Sequence, residues 1–317
     1  MQMNAISRKS AVVAVILLVV ILTATVIRYW FAPFNMELAD NPNHEKVWLV
    51  IVAVALYFSN SILQGKMLMR AGLSNGQNTL PIPIYGLLSC GLFVAPDMIE
   101  TATASLCFAF ALYLLLRSLH NLEETDSVFF ASILLGATAL FYPPCVVLAA
   151  VIPIAIFALA LSLRQSLLMI VGYLIPLFVS SYVVWYRGGG FFDVCDRLGS
   201  GIATSQMTTI EQIPYVAISF VALVAVLLLW GVVHAAIRPV KILMLMRVRR
   251  ALYFFLFVAL STLAMLLMPA CDISVCAIIA VPLTMLLCFV LDILPGGLAT
   301  IAYWTLLVLF VVHLFVA

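Results

Sequence analysis

An all-α, polytopic membrane fold is what this sequence predicts, and three observations predict it. The 317 residues are 66% hydrophobic and only 9% charged, too little polar surface for a soluble domain of that size. The apolar residues fall into about eleven long stretches joined by short polar ones. The basic residues are distributed between the two sides of those stretches with a strong bias. Each stretch is about the length needed to cross roughly 30 Å of hydrocarbon. Lipid offers the backbone no hydrogen-bond partner, so a span is a helix or part of a closed barrel. Continuous apolar runs lack the alternation of a barrel strand, which leaves helices.

The predicted spans are 10–30, 47–65, 80–96, 101–118, 128–142, 145–163, 167–186, 214–234, 251–268, 274–292 and 299–317. The first follows Arg8 and Lys9. It is too long for a signal-peptide core and no small-residue cleavage site follows it, so it reads as a retained span. Tyr29, Trp30, Trp48, Trp185, Tyr186 and Trp230 stand where membrane interfaces are expected. Pro143 and Pro144 divide one long apolar stretch into a hairpin. Pro153, Pro176 and Pro282 lie within spans, where each removes a backbone hydrogen bond and is expected to kink its helix. The whole chain, 1–317, reads as a single transmembrane helical domain.

Topology follows from charge. With the N-terminus in the cytoplasm, Arg8, Lys9, Lys66, Arg70, Arg117, Arg164, Arg238, Lys241, Arg247, Arg249 and Arg250 are cytoplasmic. Arg28, Lys46, Arg187 and Arg197 are outside. Basic residues near span ends stay on the cytoplasmic side, so this threading is favoured, and an odd number of spans puts the C-terminus outside. Omitting the break at Pro143-Pro144 would carry Arg164 and the 238–250 cluster outside. That cluster reads as a positive-inside anchor touching anionic membrane lipid. A basic stripe with interleaved aromatics is missing, so nucleic acid is not an expected partner.

The outer face collects carboxylates: Glu37, Asp40, Glu45, Asp97, Glu100, Asp193, Asp196, Glu211 and Asp272. Asp97 and Glu100 share a short turn between two apolar helices. A carboxylate held that close to hydrocarbon has the chemistry of a general base or a divalent-cation ligand. In the longest outer loop, Arg187 and three glycines precede Phe191-Phe192-Asp193-Val194-Cys195-Asp196-Arg197-Leu198. Phe191, Phe192, Cys195 and Leu198 fall on one helical face, which predicts a short interfacial helix. A disulfide between Cys195 and Cys271 is open to an oxidising compartment. The cysteines and histidines lack zinc-site spacing.

No Asp, Glu, Lys or Arg falls near the middle of a predicted span, which argues against a proton-driven transporter. The polar residues at depth are Ser59, Asn60, Ser61 and Gln64, then Ser180 and Ser181, then His313. Interhelical hydrogen bonding is the expected role of the cluster at 59–64 and of His313.

Residues 84–119 run from Ile84-Tyr85-Gly86 through Ala95-Pro96-Asp97-Met98-Ile99-Glu100 to Arg117-Ser118-Leu119, and Gly136 to Pro144 follow in the next hairpin. This region, within 80–165, resembles the third-to-sixth-span region of GT-C-type glycosyltransferases, which use polyprenyl-phosphate-linked sugars. The resemblance implies a catalytic carboxylate in the first outer loop, Asp40 or Glu37, acting as general base or helping to hold a metal. It implies that Asp97, with Glu100 beside it, shares that role, and that Arg187 or Arg197, near Asp193 and Asp196, binds the donor phosphate. The whole chain is also similar to an uncharacterised family of bacterial inner-membrane proteins, a likeness that implies no activity. Two other roles remain open: a non-catalytic subunit or scaffold of an envelope assembly with other membrane proteins, and a lipid or small-molecule transporter not driven by protons.

Overall fold

The computed structural model describes residues 11–31, 44–73, 79–90, 98–118, 125–203, 222–230, 246–265, 275–294 and 296–316. The regular structure among these residues is helical. In chain order it comprises α1 (Ala11–Phe31), α2 (His44–Ala71), α3 (Pro81–Cys90), α4 (Met98–Ser118) and α5 (Thr125–Phe141). A 3-10 segment, Pro143–Ala150, then leads into α6 (Val151–Leu159), α7 (Leu163–Tyr186) and α8 (Asp193–Ala203). The rest is α9 (222–230), α10 (Met246–Ala264), α11 (Cys276–Ile293) and α12 (Gly296–Val316).

Among the described residues, four helical stretches are long and apolar enough to cross a membrane: Ile51–Ala71, Ile99–Ser118, Leu163–Tyr186 and Cys276–Ile293. The packing explains their different surroundings. α11 is apolar all round and buried almost residue for residue from Ala277 to Leu291, as a helix at the centre of a bundle must be. It packs on α3, α10 and α4. α3 in turn meets α1 and α2, and a second row runs from α2 through α4 and α5 to α7. α7 is the outermost of these, with only 22% of its apolar window buried. Leu167, Val171, Leu174 and Phe178 are exposed along it, a stripe that in water would be an aggregation surface and in lipid is simply solvated.

The α5–α7 crossing is close because two glycines permit it. A Cβ on Gly136 would fall 2.6 Å from Pro176 Cγ and closer still to the Tyr173 carbonyl oxygen. One on Gly172 would collide with Ser132 Oγ and come within 3.0 Å of Phe129 O. Small residues at such crossings are how membrane helices gain packing contacts where the hydrophobic effect gives none.

The hairpin after α5 departs from the expected helix over 145–163. Its first turns are 3-10, beginning with Cys145 N–H donating to Tyr142 O at 2.9 Å. Pro143 and Pro144 have no N–H to give, and Pro153 has none for Ala149 O, so an α-helical register would leave that carbonyl without its donor. The tighter pattern also lengthens the segment. Eight residues at about 2.0 Å rise and nine at about 1.5 Å reach roughly 30 Å, the hydrocarbon thickness. Pro153 therefore marks the change from 3-10 to α geometry and not an interior kink, whereas Pro176 and Pro282 do sit inside α7 and α11.

α6 and α7 both end in a six-residue closing loop of hydrogen bonds. At the end of α7, Gly189 N–H donates to Val184 O at 3.1 Å and Gly188 N–H to Trp185 O at 3.0 Å, with Gly188 at φ +93°. At the end of α6, Leu161 N–H donates to Ile156 O at 3.2 Å, but the left-handed position is held by Ala160, at φ +53°. α7 opens on a reciprocal cap: Gln165 N–H donates to Ser162 Oγ at 3.3 Å and Ser162 N–H to Gln165 Oε1 at 3.0 Å.

Candidate functional sites

One end of the bundle is built by α7, the glycine turn and α8. Asp193 accepts the Gly190 N–H at 2.7 Å, and its carboxylate fills the space a side chain on Gly190 would need. It therefore starts α8, and it remains an exposed carboxylate at this end. α8 packs on α7 and on the 3-10 segment. Phe191 and Leu198 are half-buried there, with Phe191 edge-on to Phe178 at 5.7 Å. Phe192 and Cys195 are exposed, and Cys195, four residues after Phe191 and three before Leu198, lies on their face of the helix. Trp185, Tyr186 and Phe192 form an exposed aromatic rim beside them, the composition of a membrane–water boundary.

Asp196, Arg187 and Arg197 are all exposed at this end. Among the described residues neither arginine forms an ion pair. Glu100 lies in the first turn of α4 and is exposed, where the helix dipole favours a carboxylate. Glu37, Asp40 and Asp97 lie outside the described residues, as do Cys271 and the side chain of His313. Cys195 carries a free thiol. Among the described residues no cluster of His, Cys, Asp and Glu is arranged to hold a metal ion.

A second polar site lies in the bundle interior. Asn60 on α2 donates to Tyr85 Oη on α3 at 2.7 Å and to Ser105 Oγ on α4 at 2.8 Å. Ser105 donates to the Ala277 carbonyl of α11 at 2.8 Å. Tyr85 Oη lies 2.9 Å from Ser105 Oγ, where either hydroxyl can donate, and 3.4 Å from the same Ala277 carbonyl, to which it can also donate. Both hydroxyl oxygens face α2 as acceptors, so Asn60 must present its NH2 to them and its oxygen to Gln64 Nε2, at 3.4 Å. Flipping Gln64 alone would set its oxygen against Asn60 Oδ1. Gln64 Oε1 is a buried acceptor without a donor among the described residues. Asn60 and Gln64 are legible in the sequence as polar residues at depth. Tyr85 and Ser105 were missed; the available signal was a phenol and a hydroxyl within otherwise apolar runs.

A third feature opens between α2, α4 and α5. It is a groove of about 420 Å³ lined by Ser59, Ile62, Leu63 and Lys66 on α2, Leu106, Cys107 and Phe110 on α4, and Leu134 on α5. Beyond Lys66, the Arg70 guanidinium lies over the Tyr113 ring at 4.6 Å, a cation–π contact that ties the ends of α2 and α4 together. Comparison with protein families, curated proteins and solved structures finds no match for this chain.

Proposed function

We propose that the chain is a multi-pass integral protein of the bacterial inner membrane, N-terminus cytoplasmic and C-terminus outside, serving as a non-catalytic helical component of an envelope assembly. The observation that carries this reading is the Asn60–Tyr85–Ser105–Ala277 network. Polar side chains on three helices bond to one another and to a backbone carbonyl of a fourth, the use expected of a bundle whose core is a scaffold. Arg70 and Arg117 close the same ends of α2 and α4, in keeping with a cytoplasmic face there. Other envelope membrane proteins and surrounding lipid are the partners this role needs. Extraction in mild detergent followed by native mass measurement tests it. A particle heavier than one 34.7 kDa chain and its bound lipid is expected; a lone chain would sink the assembly role.

A second reading keeps the GT-C-like enzyme acting on polyprenyl-phosphate-linked sugar at the outer face. What favours it is the exposed pair Arg187 and Arg197 beside Asp196, suited to a phosphate. Asp40 and Asp97, with Glu37 and Glu100 near them in sequence, would supply the base or hold a divalent cation. Asp97→Asn should abolish sugar transfer without unfolding the chain, and retained transfer would remove the assignment.

A further inference from the structure

Two helix stripes meet along the groove between α2 and α4, and both change character in the same direction. On α2 the stripe runs Ile62, Lys66, Arg70; on α4 it runs Phe110, Tyr113, Arg117. Residues three and four apart are neighbours on a helix surface, so each series is a continuous strip. Each begins apolar and ends in a cation. The groove wall is almost wholly hydrocarbon, and Lys66 is exposed at its charged end. Among the described residues Lys66 forms no ion pair, while Arg70 is held in place over Tyr113.

We propose that this groove binds an anionic phospholipid of the cytoplasmic leaflet, with an acyl chain lying between α2 and α4 and the phosphate at Lys66 and Arg70. The proposal rests on the membrane reading above. An apolar slot selects a chain, and a cationic mouth selects the head that chain carries. A zwitterionic lipid fills the slot equally well but gains less at the mouth, and a free inorganic anion gains nothing from the slot. Lysine suits the position because its flexible stem covers apolar surface while the ammonium reaches the headgroup level. Basic pockets between helices on the cytoplasmic side are known to recognise anionic headgroups in this way.

The test is lipid retention by the full-length protein. The purified chain is reconstituted into vesicles of phosphatidylglycerol or phosphatidylcholine with identical acyl chains, re-extracted, and examined by native mass spectrometry. Phosphatidylglycerol should be retained about fivefold or more over phosphatidylcholine, since each basic residue near a membrane surface contributes on that scale. Lys66→Gln, at an exposed position, should remove about fivefold of that preference while helix content is unchanged. Cys107→Phe, which fills the groove, should lower retention of both lipids. Equal retention of the two lipids by the wild-type chain, or an unchanged preference in Lys66→Gln, overturns the proposal, as does selective retention of a co-purified polyprenyl phosphate. Failure to insert into either vesicle would instead defeat the membrane reading itself.

Discussion

Replacing Gly136 by alanine should destabilise the bundle, although the same change in an open helix would stabilise it. Alanine is favoured over glycine in a helix interior by about 1 kcal/mol. At Gly136 the added methyl falls 2.6 Å from Pro176 Cγ and closer to the Tyr173 carbonyl oxygen, against a comfortable carbon–carbon separation of about 3.5–4.0 Å. The obstacle includes backbone, so no rotamer change removes it, and α7 must move by about 1 Å. That movement loosens the packing of Met169 and Tyr173, both buried. Overpacking costs about 1–3 kcal/mol, and contact with backbone places this case at the upper end. A net loss of about 2 kcal/mol is expected after the helix-propensity gain. Unfolding in a mild-detergent/SDS titration, followed by circular dichroism, measures it. Gly199→Ala is the control, because nothing lies within 4 Å of that added methyl. If Gly136→Ala matches or exceeds the wild type while Gly199→Ala behaves as an open site, the close α5–α7 crossing is wrong.

The same crossing predicts that Gly172→Ala is partly rescued by Ser132→Ala, since Ser132 Oγ occupies the methyl's place; a double-mutant cycle in the same titration should give a coupling of about 0.5–3 kcal/mol, and strict additivity would count against contact. Ala160→Gly should raise stability by about 0.5–1 kcal/mol, because glycine adopts the left-handed backbone without the Cβ conflict that alanine carries there; a lower unfolding midpoint would contradict the assigned geometry. Asp193→Ala should remove the acceptor for Gly190 N–H and fray α8 by about 1 kcal/mol. Faster hydrogen exchange confined to α8 is the expected readout, and unchanged exchange would show that the cap does not hold the helix.

Much of the fold is legible in the sequence because membrane solvation allows few alternatives. An apolar run at lipid depth must be helical, so α2, α4, α7 and α11 follow from composition and length. The glycines after Tyr186 announce a helix end, and the 193–203 helix follows from its two-sided pattern. Pairing is what composition does not encode. Asn60 demands a partner, but its partners lie 25 and 45 residues away, and the carbonyl that Ser105 bonds is 172 residues from it. Gly136 stands in the region that resembles a glycosyltransferase hairpin, yet its packing role depends on Tyr173 and Pro176 of another helix. The 3-10 turns were illegible for a different reason: they follow from the missing N–H donors of Pro143, Pro144 and Pro153, whose joint effect on register a hydropathy pattern does not show. The bond from Gly190 N–H to Asp193 was also illegible, because a sequence cannot show that the turn before α8 folds back onto that side chain.

Polar groups therefore fall into two kinds that composition treats alike. Asn60, Tyr85 and Ser105 bond to each other and to backbone in the interior, so altering any one should first be felt as loss of helix packing. Arg187, Arg197 and Lys66 are exposed cations without an ion pair among the described residues, so altering them should leave the fold and change what binds. A substitution series that separates stability from binding would sort them. If Lys66→Gln or Arg197→Gln unfolded the bundle while Asn60→Leu did not, the division between a scaffold core and charged docking ends would be reversed.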